Sequence, residues 1–526
     1  MKIILYLSIL FSIHSMAATF IVTNKNNLGN GSLRERIIQA NDLDGHDTII
    51  FDKKIRGVIN LNNALPNITD NLTISGPGSK HLTIRTFAST GVVNDRILNL
   101  GVGVYNLNFT LSELGFQNGK GSPYNWGTTT MRAGGAILLG EGNTLRIANC
   151  KLEANTSELG GAIFNAGDLT VEDTLFFNNQ SLTSGGGAIY NFGTLNLIRV
   201  RFENNTANTF GGGIYNHARK MMTINDSTFI DNTALTKGGG LTSKGPSTIN
   251  NTNFENNTAE AGGGAELSDT GTTLTNTNFI KNSASNNGGA MVNTGTTIMT
   301  NVNFLDNQAG KEGGGIFNVS ELTIKNATFS LNQASQGAGM SLSNGMVVLT
   351  NVTISGNIAT QDGGAISVLQ AKPTLINNTL TNNKAALRGG AINNVMSEIQ
   401  LINTIISGND STSNQGNNCY TLQNHAITTS LGHNLEDENT CMLDEPTDLI
   451  NQNPLLAPLA NNGGYGMTHA LRVNSPAIDA GDMDTCPPQD QRGVGRMDGD
   501  GDSIVICDIG AFEYRRLVIP HPIPIP

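Results

Sequence analysis

Charge is scarce in this 526-residue chain: Asp, Glu, Lys and Arg make up 14% of it, against about a quarter in an ordinary globular domain. Aromatic residues are 5% and there is one Trp, so few large side chains exist to fill a thick core. No Lys/Arg-rich run occurs and the formal net charge is −11. That excludes the basic stripe that nucleic acid requires, and the acidity bears on solubility instead. Past the N-terminus there is no stretch of about 18 apolar residues, so no spanning helix is expected in the mature chain. Cysteine is nearly absent from the first three quarters, where Cys150 stands alone. What fills the space is Gly (62 residues, about 12%) together with Asn, Thr and Ser. Small residues suit stacked strands and tight turns, which favours a long, thin, repetitive β fold over a sphere.

The first residues read as an export signal. Lys2, an apolar stretch over residues 3–13 and the small residues of Ser15-Met16-Ala17 predict a signal peptide over 1–17, cleaved before Ala18. The protein is therefore expected to be secreted or held at the cell surface. Export also permits disulfides. Cys419 and Cys441 lie 22 residues apart and Cys486 and Cys507 lie 21 apart. Those two pairs are the expected bridges, although four cysteines allow three pairings.

The middle of the chain repeats itself. A Gly-Gly-small-apolar motif ends at Ile137, Ile163, Ile189, Ile214, Leu241, Ala265, Met291, Ile316, Met340, Ile366 and Ile392. Ten intervals cover the 255 residues from Ile137 to Ile392, a mean of 25.5. An apolar-x-x-Asn motif follows each copy in fixed phase, beginning at Leu152, Phe176, Phe202, Phe229, Phe254, Phe279, Phe304, Phe329, Ile354, Leu380 and Ile406. The period is too short for a helical-pair repeat or a propeller blade, and no leucine-rich pattern appears. What remains is one coil of a β-solenoid. Alternating strands such as Leu169-Thr170-Val171 and Leu322-Thr323-Ile324 support this.

The fold class expected is therefore all-β: a right-handed parallel β-helix of the pectin-lyase-like kind, with a short N-terminal capping helix. The Gly pair allows positive φ and close approach of coils. The Phe residues should stack at about 4.8 Å. The Asn series Asn155, Asn179, Asn205, Asn232, Asn257, Asn282 and Asn307 should form an amide ladder. Cys150 shares a small inward slot with Thr174, Val200, Ser227, Thr252, Thr277, Val302 and Ala327, which predicts a buried, inert thiol. Ser32 with Glu35 forms a capping box for a helix over residues 33–41, whose Leu33, Ile37 and Ala40 can cover the first coil. Division of the chain follows: signal peptide 1–17, cap 18–55, β-helix 56–415, C-terminal region 416–514 and Pro-rich tail 515–526.

Three resemblances attach to these residues. Residues 20–52, with Ser32-Leu33-Arg34-Glu35, resemble the SLREA-type N-terminal region of secreted bacterial β-helix proteins; Gly31 and Arg36 depart from it, where the family usually has Cys and Ala. The Gly-Gly-Ala-Ile and Phe-x-x-Asn repeats resemble chlamydial polymorphic outer membrane proteins. The C-terminal part is similar to the choice-of-anchor Q region, through Leu431-Gly432-His433-Asn434-Leu435, Asn453-Pro454-Leu455-Leu456, Ser475-Pro476-Ala477-Ile478-Asp479, Asp490-Gln491-Arg492-Gly493 and Cys507-Asp508-Ile509-Gly510. Together they imply a cell-envelope or extracellular protein, often adhesin-like, with no established reaction. The membrane β-barrel that ends the polymorphic proteins has no counterpart in residues 515–526.

Candidate sites are few. Glu203, Asp231, Glu255 and Asp306 follow their ladder Phe residues and were they aligned would form an acidic face, interrupted by Lys281 and Ser330. His433 and His469 are expected to bond loops rather than a metal. Asp498, Asp500 and Asp502 alternate with Gly and form the candidate metal site, for Ca²⁺, in a loop that is no EF-hand. The function expected is a secreted or surface binding or structural protein of adhesin type, without catalysis. Its partner would be a glycan or protein on a host or neighbouring cell, chosen by variable turns such as Thr236-Lys237, Asn286-Asn287 and Lys311-Glu312. The alternative is a polysaccharide lyase or glycoside hydrolase of the β-helix type.

Overall fold

A computed structural model describes residues 17–87, 95–126, 129–217, 220–269, 271–422 and 425–516. The signal-peptide expectation falls almost wholly on residues 1–16, and most of the Pro-rich tail on 517–526; both lie outside the described residues.

Each coil is a run of short strands joined by residues of positive φ, and each strand pairs in parallel with its counterpart one coil on. All eleven residues that close the Gly-Gly motif head a strand of a single thirteen-stranded sheet, from Ile137–Leu139 to Ile392–Asn394. Leu98–Leu100 and Cys419–Thr421 extend it at the two ends. The largest sheet holds 28 strands and takes two from most coils, such as Asp168–Glu172 and Leu175–Phe177; in four coils, from Thr272–Ile280 to Met346–Ser355, the two run together as one. The chain is a right-handed parallel β-helix.

The register is the one that the motifs imply: Phe176, Phe202, Phe229, Phe254, Phe279, Phe304 and Phe329 are partners in succession. Their rings stack inside the rod at 4.4–5.1 Å with planes within 9° of parallel. The glycine pair has two distinct duties. The first Gly carries the positive φ, +62° at Gly160 and +66° at Gly186. The second brings two backbones together: a Cβ on Gly187 would lie 2.0 Å from the Gly212 carbonyl oxygen.

The Asn ladder is longer than the seven residues read from the sequence. From Asn155 through Asn383, each backbone N–H and side-chain amide donates to the next Asn Oδ1 at 2.8–3.0 Å, ending on Asn409. The amide's second hydrogen goes to the carbonyl of the ladder residue one coil back, as from Asn205 to Phe176 at 3.0 Å. All of these amides are buried, so each must be satisfied by the protein itself. A third sheet of eleven two- to five-residue strands follows the ladder, from Thr156–Ser157 to Asp410–Ser411. Its inward residues include Ala207, Ala234, Ala259 and Ala284, an Asn-x-Ala signal in the sequence. The Asn therefore turns the chain between two strands instead of simply ending one.

At the N-terminus, helix α1 spans Leu33–Asn41 and buries Leu33, Arg34, Ile37 and Ala40. Ser32 Oγ accepts the Glu35 N–H at 3.3 Å, and Glu35 answers by accepting the Gly31 N–H. Arg34 spends its guanidinium on the carbonyls of Asn63 and Ala64. The cap is not a separate layer. Thr19–Val22 pairs in parallel with Asp47–Phe51, which pairs with Leu72–Ser75, so the sheet begins well before residue 56. It also continues past residue 415, to Leu449–Ile450.

Bridges join Cys419 to Cys441 and Cys486 to Cys507. Cys150 is free and buried, and burial pushes its thiol up to about 12. It is inert at any ordinary pH.

Candidate functional site

The outward residues of the largest sheet form the flank of the rod. Along its first coils they are long and paired: Arg146 with Glu172 at 2.7 Å, Lys151 with Glu153 at 2.8 Å, and Arg201 with Glu203 at 2.8 Å. The expected acidic face does not exist as one row. Glu203 and Glu255 pair across Ile230 within the strands, whereas Asp231 and Asp306 sit one residue on, in the left-handed turn at φ +54° and +56°. The turn row reads Asn204, Asp231, Asn256, Lys281, Asp306, Leu331. The spacing after each Phe alternates between one residue and two, and in a strand that difference moves a side chain to another row.

From Thr328 onward the flank changes character. Its outward side chains become Thr328, Ser330, Thr353, Ser355, Thr379 and Thr381, all buried. What buries them is the C-terminal region, which doubles back along the rod as an arm. Thr328 Oγ1 donates to the Met467 carbonyl at 2.8 Å, and Thr353 Oγ1 to Gln491 Oε1 at 2.6 Å. His469 Nε2 and Ser355 Oγ are 2.8 Å apart, and its Nδ1 lies 2.7 Å from the Ala457 carbonyl. Burial lowers its pKa and holds it neutral. Ala511 N donates to Thr379 Oγ1, and Gly510 N to the Asn403 carbonyl at 2.8 Å. The switch from Arg and Glu to Ser and Thr was a visible sign of this dock, and reading coil by coil would have found it.

Inside the arm the motif residues form a buried polar network. Asp490 pairs with Arg492 and Glu513 with Arg496, at 2.7 and 2.8 Å. Asp508 Oδ1 accepts the Asp479 N–H at 2.8 Å. Burial, with the Glu513 charge beside it, pushes Asp508 up to about 8. His433 Nδ1 lies 2.8 Å from the Ala480 carbonyl, which ties the last coil to the arm. His433 thus bonds a loop, as expected, whereas His469 bonds residues of two strands, Ser355 and Ala457.

Of the three candidate metal ligands, Asp498 and Asp500 come together, but their third companion is Asp479. Carboxylate oxygens of these three lie within 4.8 Å of one another; Asp502 is outside the group. Its Oδ1 instead accepts the Ile504 N–H at 2.7 Å. Asp479 Oδ2 accepts the N–H groups of Gly499 and Asp500, while its Oδ1 is buried without a partner. Burial first, and then the charges of Asp500 and Asp498, raise its pKa. Asp479 lies 19 residues from the loop, so alternation within the loop gave no sign of it.

The variable turns are less independent than their sequence suggests. Thr236, Lys237, Asn286, Asn287 and Glu312 are half-buried. Lys237 pairs with Glu266 at 2.7 Å, and Ser341 Oγ donates to Glu312 at 2.8 Å. Each turn leans on the next coil. A second apolar cluster lies outside the rod over the thirteen-stranded sheet, with Phe164, Tyr190 and Tyr215 buried and the half-buried Tyr124 and Phe210 packed against them. No helix among the described residues is long and apolar enough to cross a membrane.

This architecture defines a repeat-built parallel β-helix with a folded-back arm. Residues 173–191, 199–217, 301–319 and 351–368 match the Chlamydia polymorphic membrane protein repeat, the resemblance read from the motifs. No curated protein matches the chain. Among solved structures, PfbA, a surface adhesin of Streptococcus pneumoniae, is 12% identical and covers 70% of this chain and 93% of its own, with a TM-score of 0.36. A PL6 alginate lyase is 12% identical over 91% of this chain and 95% of its own (TM-score 0.29), and pectate lyase Pel9A 12% identical over 95% and 97% (TM-score 0.25). At such identities the likeness is one of fold alone.

Proposed function

We propose that this chain is a secreted or surface-held binding rod of adhesin type, without catalysis, that presents its flank to a glycan or protein on a host or neighbouring cell. One observation carries the reading: the Asn ladder and pairs such as Arg201–Glu203 engage polar side chains from coil to coil or on the flank, and the flank acids fall in two separate rows. Acid–base cleavage of a polysaccharide requires two convergent groups on one face. Repeats of the Chlamydia polymorphic membrane protein kind accord with a surface role.

The deciding experiment pairs a cell- and glycan-binding assay with a search for reducing ends or unsaturated products from acidic polysaccharides. Binding without product supports the rod. Product that disappears on Glu203→Gln or Glu255→Gln establishes the lyase or hydrolase alternative. For the arm we propose a structural Ca²⁺ held by Asp479, Asp498 and Asp500, with no catalytic part. Calorimetric titration with Ca²⁺ should show binding that Asp479→Asn abolishes; heat unchanged by that substitution rejects the site.

A further inference from the structure

Five Asn-Gly steps occur in the chain, beginning at Asn30, Asn118, Asn287, Asn344 and Asn462. At such a step the glycine nitrogen can attack the asparagine side-chain carbonyl, because no Cβ stands in its way. The attack needs a glycine N–H that no acceptor holds and a side chain able to turn toward it. Four of the five steps fail the first condition. Gly31 N donates to Glu35 Oε2, Gly119 N to Asn155 Oδ1 at 2.9 Å, Gly288 N to the Glu312 carbonyl at 2.8 Å, and Gly463 N to Asn461 Oδ1 at 3.1 Å. Asn462 is tied further, its amide donating to the Thr468 carbonyl at 2.9 Å. Asn344 differs. Among the described residues nothing accepts the Gly345 N–H and nothing bonds the Asn344 side chain, which is exposed. The carbonyls there are the engaged groups: Asn344 O accepts from Asn318 Nδ2 at 3.4 Å and Gly345 O from Lys372 N at 3.0 Å. The step forms an open corner between the strands Met340–Leu342 and Met346–Ser355.

We infer that Asn344 is a site of spontaneous deamidation in the folded rod. Gly345 N bonds to Asn344 Cγ and gives up its proton to water, and the side-chain nitrogen leaves as ammonia, closing a succinimide. Water then adds to one of the two ring carbonyls and breaks its bond to the ring nitrogen, giving aspartate or isoaspartate. One water enters and one ammonia departs, with no oxidant or reductant. Either product places a new carboxylate one coil from Glu321. Isoaspartate also adds a methylene to the main chain, in a turn where a Cβ on Gly345 would already lie 2.2 Å from the Ser320 carbonyl oxygen. The extra length has to be taken up where Met346 pairs with Lys372. The other four steps are protected by the fold, so conversion accumulates at one corner of the rod.

The test holds the full exported chain at mildly alkaline pH and follows its peptides by mass over time, with isoaspartyl methyltransferase labelling as a second readout. The peptide containing Asn344 should convert at least tenfold faster than those containing Asn30, Asn118, Asn287 and Asn462. In urea the five rates should come together, because unfolding frees every glycine N–H. Asn344→Gln, at an exposed position, should melt like the parent and lose the fast labelling. Conversion at Asn344 no faster than at the other four in the folded chain overturns the inference. So does a tenfold lead that persists in urea, since local sequence and not the fold would then set it. Fast labelling retained by Asn344→Gln places the reaction elsewhere and overturns it as well.

Discussion

Asn232 Oδ1 receives two hydrogen bonds from the one residue Asn205, 3.0 Å from its backbone N–H and 2.9 Å from its side-chain amide. Each rung of the ladder thus satisfies both main chain and side chain of the rung before it. Asn232→Ala would leave two buried donors on Asn205 unpaired, at about 1–3 kcal/mol each. The chain should lose about 2–5 kcal/mol, read as a lower urea midpoint. Hydrogen exchange should accelerate around residues 202–235 before it does at the ends, because a solenoid contacts only its neighbours.

The phenylalanine stack gives a sharper contrast. Phe229 is fully buried between Phe202 and Phe254, with ring centres 4.7 Å from each. Phe229→Ala opens a cavity in the middle of the rod and should cost about 3–5 kcal/mol. Phe229→Leu should cost less, since Leu152 and Leu380 already occupy the same row. Thermal melts of the two variants order them; equal losses would mean that ring stacking, not volume, holds the row.

Gly187 and Gly103 separate close approach from backbone freedom. A methyl on Gly187 meets the next coil's carbonyl, while Gly103 has φ +80° and open space around it. Gly187→Ala should block folding of the exported chain. Gly103→Ala should cost only about 1–2 kcal/mol from its left-handed backbone. Yield and melting temperature of the secreted proteins check both.

Asp508 makes the arm sensitive to pH. Its folded pKa of about 8 lies above the value near 4 of an unfolded chain. A raised pKa means that the folded arm holds the proton more tightly. Its contribution is complete below about pH 4 and is lost as pH rises through 8. Glu513, also raised, acts in the same direction. Exchange or proteolysis over residues 477–514 should therefore quicken between pH 5 and pH 9, and Asp508→Asn should flatten that profile.

The rod was legible because its physics is periodic. Gly-Gly and Phe-x-x-Asn recur in phase, and each copy had to meet the same neighbour, so eleven strand starts and the Phe row could be read residue by residue. The capping box at Ser32 and Glu35 was legible for the same local reason. The arm was not, because its contacts cross as many as 163 residues, as from Ser355 to His469 and from Thr328 to Gln491. Such pairings leave no period. The same limit hid Asp479 from its partners in the Asp498 loop, and one- against two-residue offsets after Phe229 and Phe304 hid the split of the acidic row.

Because the arm grips Asn303, Thr328, Thr353, Thr379 and Asn403 at fixed heights, the coils beneath it have a set number. Among the described residues, those between the cap and Asn278 carry no such tether. A whole coil added or removed there would change the distance from cap to arm by about 4.8 Å and disturb neither end. The molecule therefore carries its own telescoping section: how far it reaches is a number of repeats, while how it begins and is fastened stays constant.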